Sequence, residues 1–209
     1  MPPKQLPYYE MDGVRYPRVS AILSILRDPD LEAWQAKVGD KAAEAKRKHA
    51  EKIGLTLDAM IKQDVQGAVV KWPKPTSAEV KQGWKAWQEY KRLYSAPDVG
   101  FRLVRPEYGY GGEPDLLERD TIIDLKATTR LREKHWVQLT AYVPLWWPEE
   151  RWPSITLRLV RLDTFLGTCE VKERPFVRQI WETFLHLKQV YQDWYGAELN
   201  QEVLHGASH

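Results

Sequence analysis

The segment Glu113-Pro-Asp-Leu-Leu-Glu-Arg-Asp-Thr-Ile-Ile-Asp-Leu-Lys126 constrains this chain more than any other stretch. Two short apolar runs flank Arg119-Asp120, the pattern of an antiparallel hairpin turning at that pair. In that register Leu117 opposes Ile122, Leu116 opposes Ile123, and Asp115 opposes Asp124. Directly opposed Cβ atoms lie about 5 Å apart on one side of a sheet, so two carboxylates meet. Like charges so placed repel unless one takes a proton or a cation lies between them, and a hard divalent ion with oxygen ligands relieves the repulsion. Strand alternation puts Lys126 on the Asp124 face and turns Ile123 and Leu125 to the opposite, buried face. The segment therefore implies a Mg²⁺ or Mn²⁺ site with an ammonium beside it. Those are the parts that phosphodiester hydrolysis needs: a cation to neutralise the phosphate and acidify a water, and a lysine to hold that water.

The rest of the chain reads as a frame for this hairpin. Tyr8 to Tyr16 forms a small hairpin lid turning at Asp12-Gly13. Ser20 caps a short helix from Ala21 to Leu26, and a long helical stretch runs from Leu31 to about Gln66 with bends at Gly39 and Gly54. Ser77 caps a second helix carrying Val80, Trp84, Trp87, Lys91 and Tyr94 on one stripe. From Phe101 the period changes to short strands: Phe101 to Arg105, Asp115 to Glu118, and Thr121 to Lys126. A helix follows from about Leu131 to Val143, ended or kinked by Pro144. Strands Ile155 to Leu162 and Phe165 to Val171 flank Asp163-Thr164. A last helix from Pro175 buries Phe176, Ile180, Phe184, Leu187, Tyr191 and Trp194, and the tail after Gly196 is loosely held. This is an α/β (α+β) chain with a central mixed β-sheet flanked by helices. It reads as one domain, 1–209, with a helical N-terminal part over 1–98, a catalytic sheet and helices over 99–196, and a tail over 197–209.

Pro114-Asp115 and Asp124-Leu125-Lys126 resemble the PD and (D/E)XK motifs of the PD-(D/E)XK nucleases. Within that superfamily, Gln138-Leu-Thr-Ala-Tyr142 is similar to the Gln-x-x-x-Tyr motif of the RecB-type and phage exonuclease branch. Tyr16-Pro-Arg-Val-Ser-Ala-Ile-Leu and Tyr110-Gly-Gly-Glu-Pro-Asp115 extend the likeness from about Tyr8 to Tyr142. The resemblance implies a restriction-endonuclease-like core and a catalytic set of Asp115, Asp124, Lys126, Gln138 and Tyr142. It places one or two metal ions on Asp115, Asp124, Leu125, Asp58 and Glu107. Asp58 stands where the branch carries the histidine of a Gly-x-x-x-His pattern, here Gly54-Leu-Thr-Leu-Asp58, and His49 on the same helix is its rival. Glu107 stands where the branch often has an acidic residue. Arg130, Arg132, Lys134 and Thr128 follow the catalytic strand and are candidate phosphate contacts. The implied activity is exonucleolytic hydrolysis of DNA ends in recombination or repair, with a phage origin among the settings. A restriction-type or structure-specific endonuclease, or a catalytically silent nucleic-acid-binding protein on the same core, are the alternatives.

Composition limits the remaining choices. Lysine and arginine total 31 against 29 acidic residues, so a DNA surface must come from local clustering. One cysteine excludes an internal disulfide and a Cys-rich zinc site, and points to a reducing cytoplasm. No apolar run approaches the roughly 20 residues of a membrane span, so no membrane partner is expected. Homo-oligomerisation stays open. The ten tryptophans read first as core anchors and loop plugs, with base stacking by one or two as the alternative.

Overall fold

The structure, a computed structural model, describes residues 8–94 and 97–205. Strands β1 (Tyr8–Met11) and β2 (Val14–Pro17) pair antiparallel about Asp12-Gly13, both at positive φ as such a turn requires. Helix α1 (Val19–Ile22) continues into a 3₁₀ turn, Leu23–Ile25. Its N-cap is Arg18, so Ser20 lies inside the first turn and caps nothing. The expected long helix is two helices. Gly39 takes φ +83 and separates α2 (Pro29–Val38) from α3 (Asp40–Val65), whereas Gly54 continues inside α3 without a break. Ser77 caps α4 (Ala78–Leu93) by accepting the Val80 N–H at 3.3 Å.

The central sheet has five strands in the order β3 (Asp98–Val99), β6 (Leu116–Glu118), β7 (Thr121–Lys126), β8 (Thr156–Leu162), β9 (Cys169–Pro175). Only β7 and β8 run parallel, joined across α5 (Glu133–Trp146); the other neighbours are antiparallel, so the sheet is mixed, as expected. Two strands went unread. β3 is two residues long, and β5 (Tyr110–Gly112), which pairs with β4 (Leu103–Arg105) as a separate hairpin, is rich in glycine. Pro144 lies buried inside α5 and does not end it. β9 starts at Cys169 and not Phe165, and α6 (Arg178–His205) starts beyond Pro175 and runs through Gly196. Residues 206–209 of the expected tail lie outside the described residues.

Period-two alternation divides the apolar side chains between two cores. Ile122, Leu157 and Leu159 face α1, α5 and α6, where Trp136, Leu139, Phe184 and Tyr191 are buried, with Trp152 of the 3₁₀ segment Glu149–Ser154 beside them. Ile123, Leu116, Val160 and Leu162 face α3 and α4, packing on Leu57, Met60, Ile61 and Trp87. Each such side chain contributes roughly 1.5–3 kcal/mol when fully buried. The tryptophans are mostly core anchors, but Trp194 is 65% exposed and Trp72 is 42% exposed. No helix among the described residues is long and apolar enough to cross a membrane.

Candidate active site

The β6–β7 ladder pairs Leu116 with Ile123, Leu117 with Ile122 and Glu118 with Thr121, the register read from the sequence. Asp115 is the residue before β6. Its carbonyl accepts the Gly100 N–H at 3.0 Å, and its carboxylate oxygen Oδ2 accepts the Leu125 N–H at 2.7 Å. The side chain thus extends the ladder by one bond and fixes the carboxylate beside Asp124. Asp124 is 2% exposed, because its strand face is covered by α5.

Lys126 lies on the same face. Its Nζ is 2.7 Å from Asp124 Oδ2 and donates to Gln138 Oε1 at 3.1 Å. Gln138 Nε2 in turn donates to the Tyr142 hydroxyl at 2.9 Å. Gln138 and Tyr142 meet because i and i+4 share one face of α5. Tyr142 approaches closely because β5 carries glycine opposite it: a Cβ on Gly112 would fall 2.5 Å from the Tyr142 ring. Asp124, Lys126, Gln138 and Tyr142 therefore form one continuous network, and Asp115 is held beside it on the Leu125 amide.

Burial and the neighbouring charge set the electrostatics. Burial first, and then Asp124, raise the Asp115 carboxyl to about 7. Asp124 is raised by burial, with Lys126 acting against it. Burial alone would lower Lys126, but Asp124 and Asp115 outweigh it and hold the ammonium above its ordinary value. The Tyr142 phenol is pushed well up by burial, next to Asp124.

Asp58, on α3, approaches from the other flank and its charge acts on both Asp115 and Asp124. Its Oδ2 lies 3.2 Å from Lys62 Nζ, while its Oδ1 is buried without a hydrogen-bond partner. Lys62 also reaches Glu113 Oε1 at 3.4 Å. Neither Lys62 nor Glu113 was read from the sequence as a site residue. The only available signal was position: Lys62 follows Asp58 by one helical turn, and Glu113 precedes the Pro114-Asp115 motif. His49 is not brought here; nine residues up α3, roughly 13 Å along the axis, it bonds Glu79 at 3.1 Å. Glu107 is also apart. It is exposed in the β4–β5 turn, whose Tyr108 carbonyl and Gly109 face Lys188 of α6.

The two arginines after β7 are already engaged. Arg130 pairs with Asp30, and Arg132 pairs with Asp28, both at the start of α2. Lys134 is half-buried and lowered by burial and by its neighbours Arg132 and Lys126. Thr128 and Arg132 line a cleft of about 1660 Å³ that begins at Ala127, just past Lys126, and is walled by Trp34, Lys46 and Phe165. The carboxylate pair itself does not line the cleft.

Among the described residues, no three Asp, Glu, His or Cys side chains are disposed to hold a metal ion as they stand. The donor chemistry nevertheless suits one. Asp115 and Asp124 are oxygen donors forced together, Asp124 Oδ2 faces the Lys126 ammonium at 2.7 Å, and Asp58 Oδ1 is buried and unsatisfied.

Three solved structures are similar at low sequence identity. The crystal structure of SSO0001 is similar over 88% of this chain and 76% of its own, at 13% identity and a TM-score of 0.46. An alkaline exonuclease, LHK-Exo from Laribacter hongkongensis, is similar over 71% of this chain and 80% of its own, at 14% identity and a TM-score of 0.45. Its complex with dAMP matches with the same coverage and identity at a TM-score of 0.37. No protein-family description matches the chain, and no curated protein does.

Proposed function

We propose that this chain is a divalent-metal-dependent nuclease that hydrolyses phosphodiester bonds, acting on DNA ends as an exonuclease. One observation carries the reading. The Asp115 carboxylate is held on the Leu125 amide beside a buried Asp124, with Lys126 on the same face. A surface hairpin has no reason to bury Asp124 beside a second, partly covered carboxylate, since a desolvated carboxylate costs several kcal/mol.

Asp115 and Asp124, with Leu125 and the free oxygen of Asp58, would hold Mg²⁺ or Mn²⁺, which when bound supplies phosphate neutralisation and a water of lowered pKa. Lys126 stays an ammonium at neutral pH because its two carboxylate neighbours favour the charged form. It has three N–H donors. Asp124 and Gln138 engage it from two sides, leaving a donor for the attacking water or a phosphate oxygen. Gln138 and Tyr142 keep that ammonium aimed, since Tyr142 fixes the amide that Lys126 holds. The preference for DNA and for ends follows the motif resemblance, and the cleft beyond Lys126 offers a strand its path.

A labelled linear duplex and a covalently closed circle, each incubated with Mg²⁺ or with chelator, test this. Loss of the linear form alone, and only with metal, is expected. Nicking of the circle would make the chain an endonuclease, and metal-independent persistence of both would refute the assignment.

A further inference from the structure

The acidic cluster is larger than the motif, and it already contains an internal cation. Asp58, Glu113, Asp115 and Asp124 gather around two ammonium groups, Lys62 and Lys126. Lys126 answers Asp124. Lys62 is half-buried, three-quarters covered at its side chain, and divides itself between Asp58 Oδ2 at 3.2 Å and Glu113 Oε1 at 3.4 Å. The charge of Asp115 acts on it as well. Glu113 is further met by Arg102 at 3.9 Å. Asp58 is therefore split: one oxygen rests on Lys62 and the other, Oδ1, is buried and unpartnered. Between Asp58 and Glu113, where two carboxylates would otherwise draw a cation from solution, a tethered ammonium is already present.

We propose that Lys62 takes the place of a second metal ion, so that this site accepts one divalent cation, among Asp115, Asp124 and Asp58 Oδ1, and no more. The inference rests on the nuclease reading above and refines its metal count. Four carboxylates facing two lysines and Arg102 leave a formal deficit of one charge, which one divalent ion more than cancels; a second ion would have to displace the Lys62 ammonium against its own charge. Lys62 acts here as a positioning residue: it holds Asp58 and Glu113 and touches no reacting atom.

Mn²⁺ titration of the metal-free protein, read by calorimetry and by the electron paramagnetic resonance of free Mn²⁺, decides the matter without reference to turnover. The wild-type chain is expected to bind one Mn²⁺. Lys62→Met, of similar length and no charge, is expected to bind two, or to bind the first at least about tenfold more tightly. Lys62→Arg, which retains the charge, is expected to behave as wild type. Two ions on the wild-type chain with metal-dependent cleavage intact would overturn the single-ion inference alone. No Mn²⁺ bound by wild type would overturn both it and the metal-dependent nuclease reading. An unchanged stoichiometry and affinity in a folded Lys62→Met would also overturn it. If that variant does not fold, the wild-type count still decides.

Discussion

Lys126 is the residue whose role separates most cleanly from the fold. It hangs from the last position of β7, its ammonium held by Asp124 and Gln138, and no core packing depends on it. Lys126→Ala should therefore lower cleavage by about 10²-fold or more, the scale of losing one well-placed charged donor, while Mn²⁺ still binds by calorimetry. Cleavage at the wild-type rate would remove Lys126 from the chemistry. The carboxylate pair and this lysine were legible because a period of two and a two-residue turn leave only one register for the hairpin. Lys62 and Glu113 were not. One lies 51 positions from the other, and nothing local in either stretch records that α3 will deliver an ammonium to the start of β6.

Helix α5 carries the network and begins with an unusual cap. The Arg132 N–H donates to His135 Nδ1 at 3.2 Å, so the ring must stay neutral to accept it. Burial, and then Lys126, Lys134 and Arg132, lower His135 to about 3 from an ordinary 6.5. In the unfolded chain the ring takes a proton below 6.5, while the folded ring does not. Stability from this group is therefore full above 6.5 and is lost as the pH falls toward 3, by up to about 1.4 kcal/mol per unit. Urea unfolding at pH 6.5 and 5 should show wild type losing about 1–2 kcal/mol more than His135→Gln. Equal losses would mean that the ring titrates normally. Element ends were the least legible features, for reasons visible in single side chains. Phe165 reads as a strand residue, yet Asp163 Oδ1 accepts the N–H groups of both Phe165 and Leu166. That turn, with Gly167 at φ +71, carries the chain to Cys169 before β9 can pair. The break at Gly39 was legible since only glycine is at ease there. Pro144 stayed inside α5 because its surroundings are packed on the core, a tertiary effect that propensity does not encode.

At the scale of the molecule, one sheet is the floor of two cores. Leu139 is buried on the α5 side and Leu57 on the α3 side, with the strands between them. Leu139→Ala and Leu57→Ala should each cost about 2–5 kcal/mol. Their effects should add, since they share no partners. Because the strands belong to both halves, tryptophan fluorescence and far-ultraviolet circular dichroism should report one urea transition in every case. Two separate transitions would show that the halves melt independently. The division into two faces was readable from Ile122 and Ile123, adjacent apolar residues that can be buried together only if both sides of their strand are covered.

Asp115 has a further consequence for descent. Its Oδ2 closes the end of a strand ladder as firmly as any main-chain oxygen would. On the nuclease reading, a lineage that gave up cleaving would still be under pressure to keep this aspartate for the hairpin's sake, while Lys126, with no ladder bond to maintain, would drift first. In a set of relatives, loss of the lysine with retention of the aspartate is then the pattern expected of copies that no longer cleave.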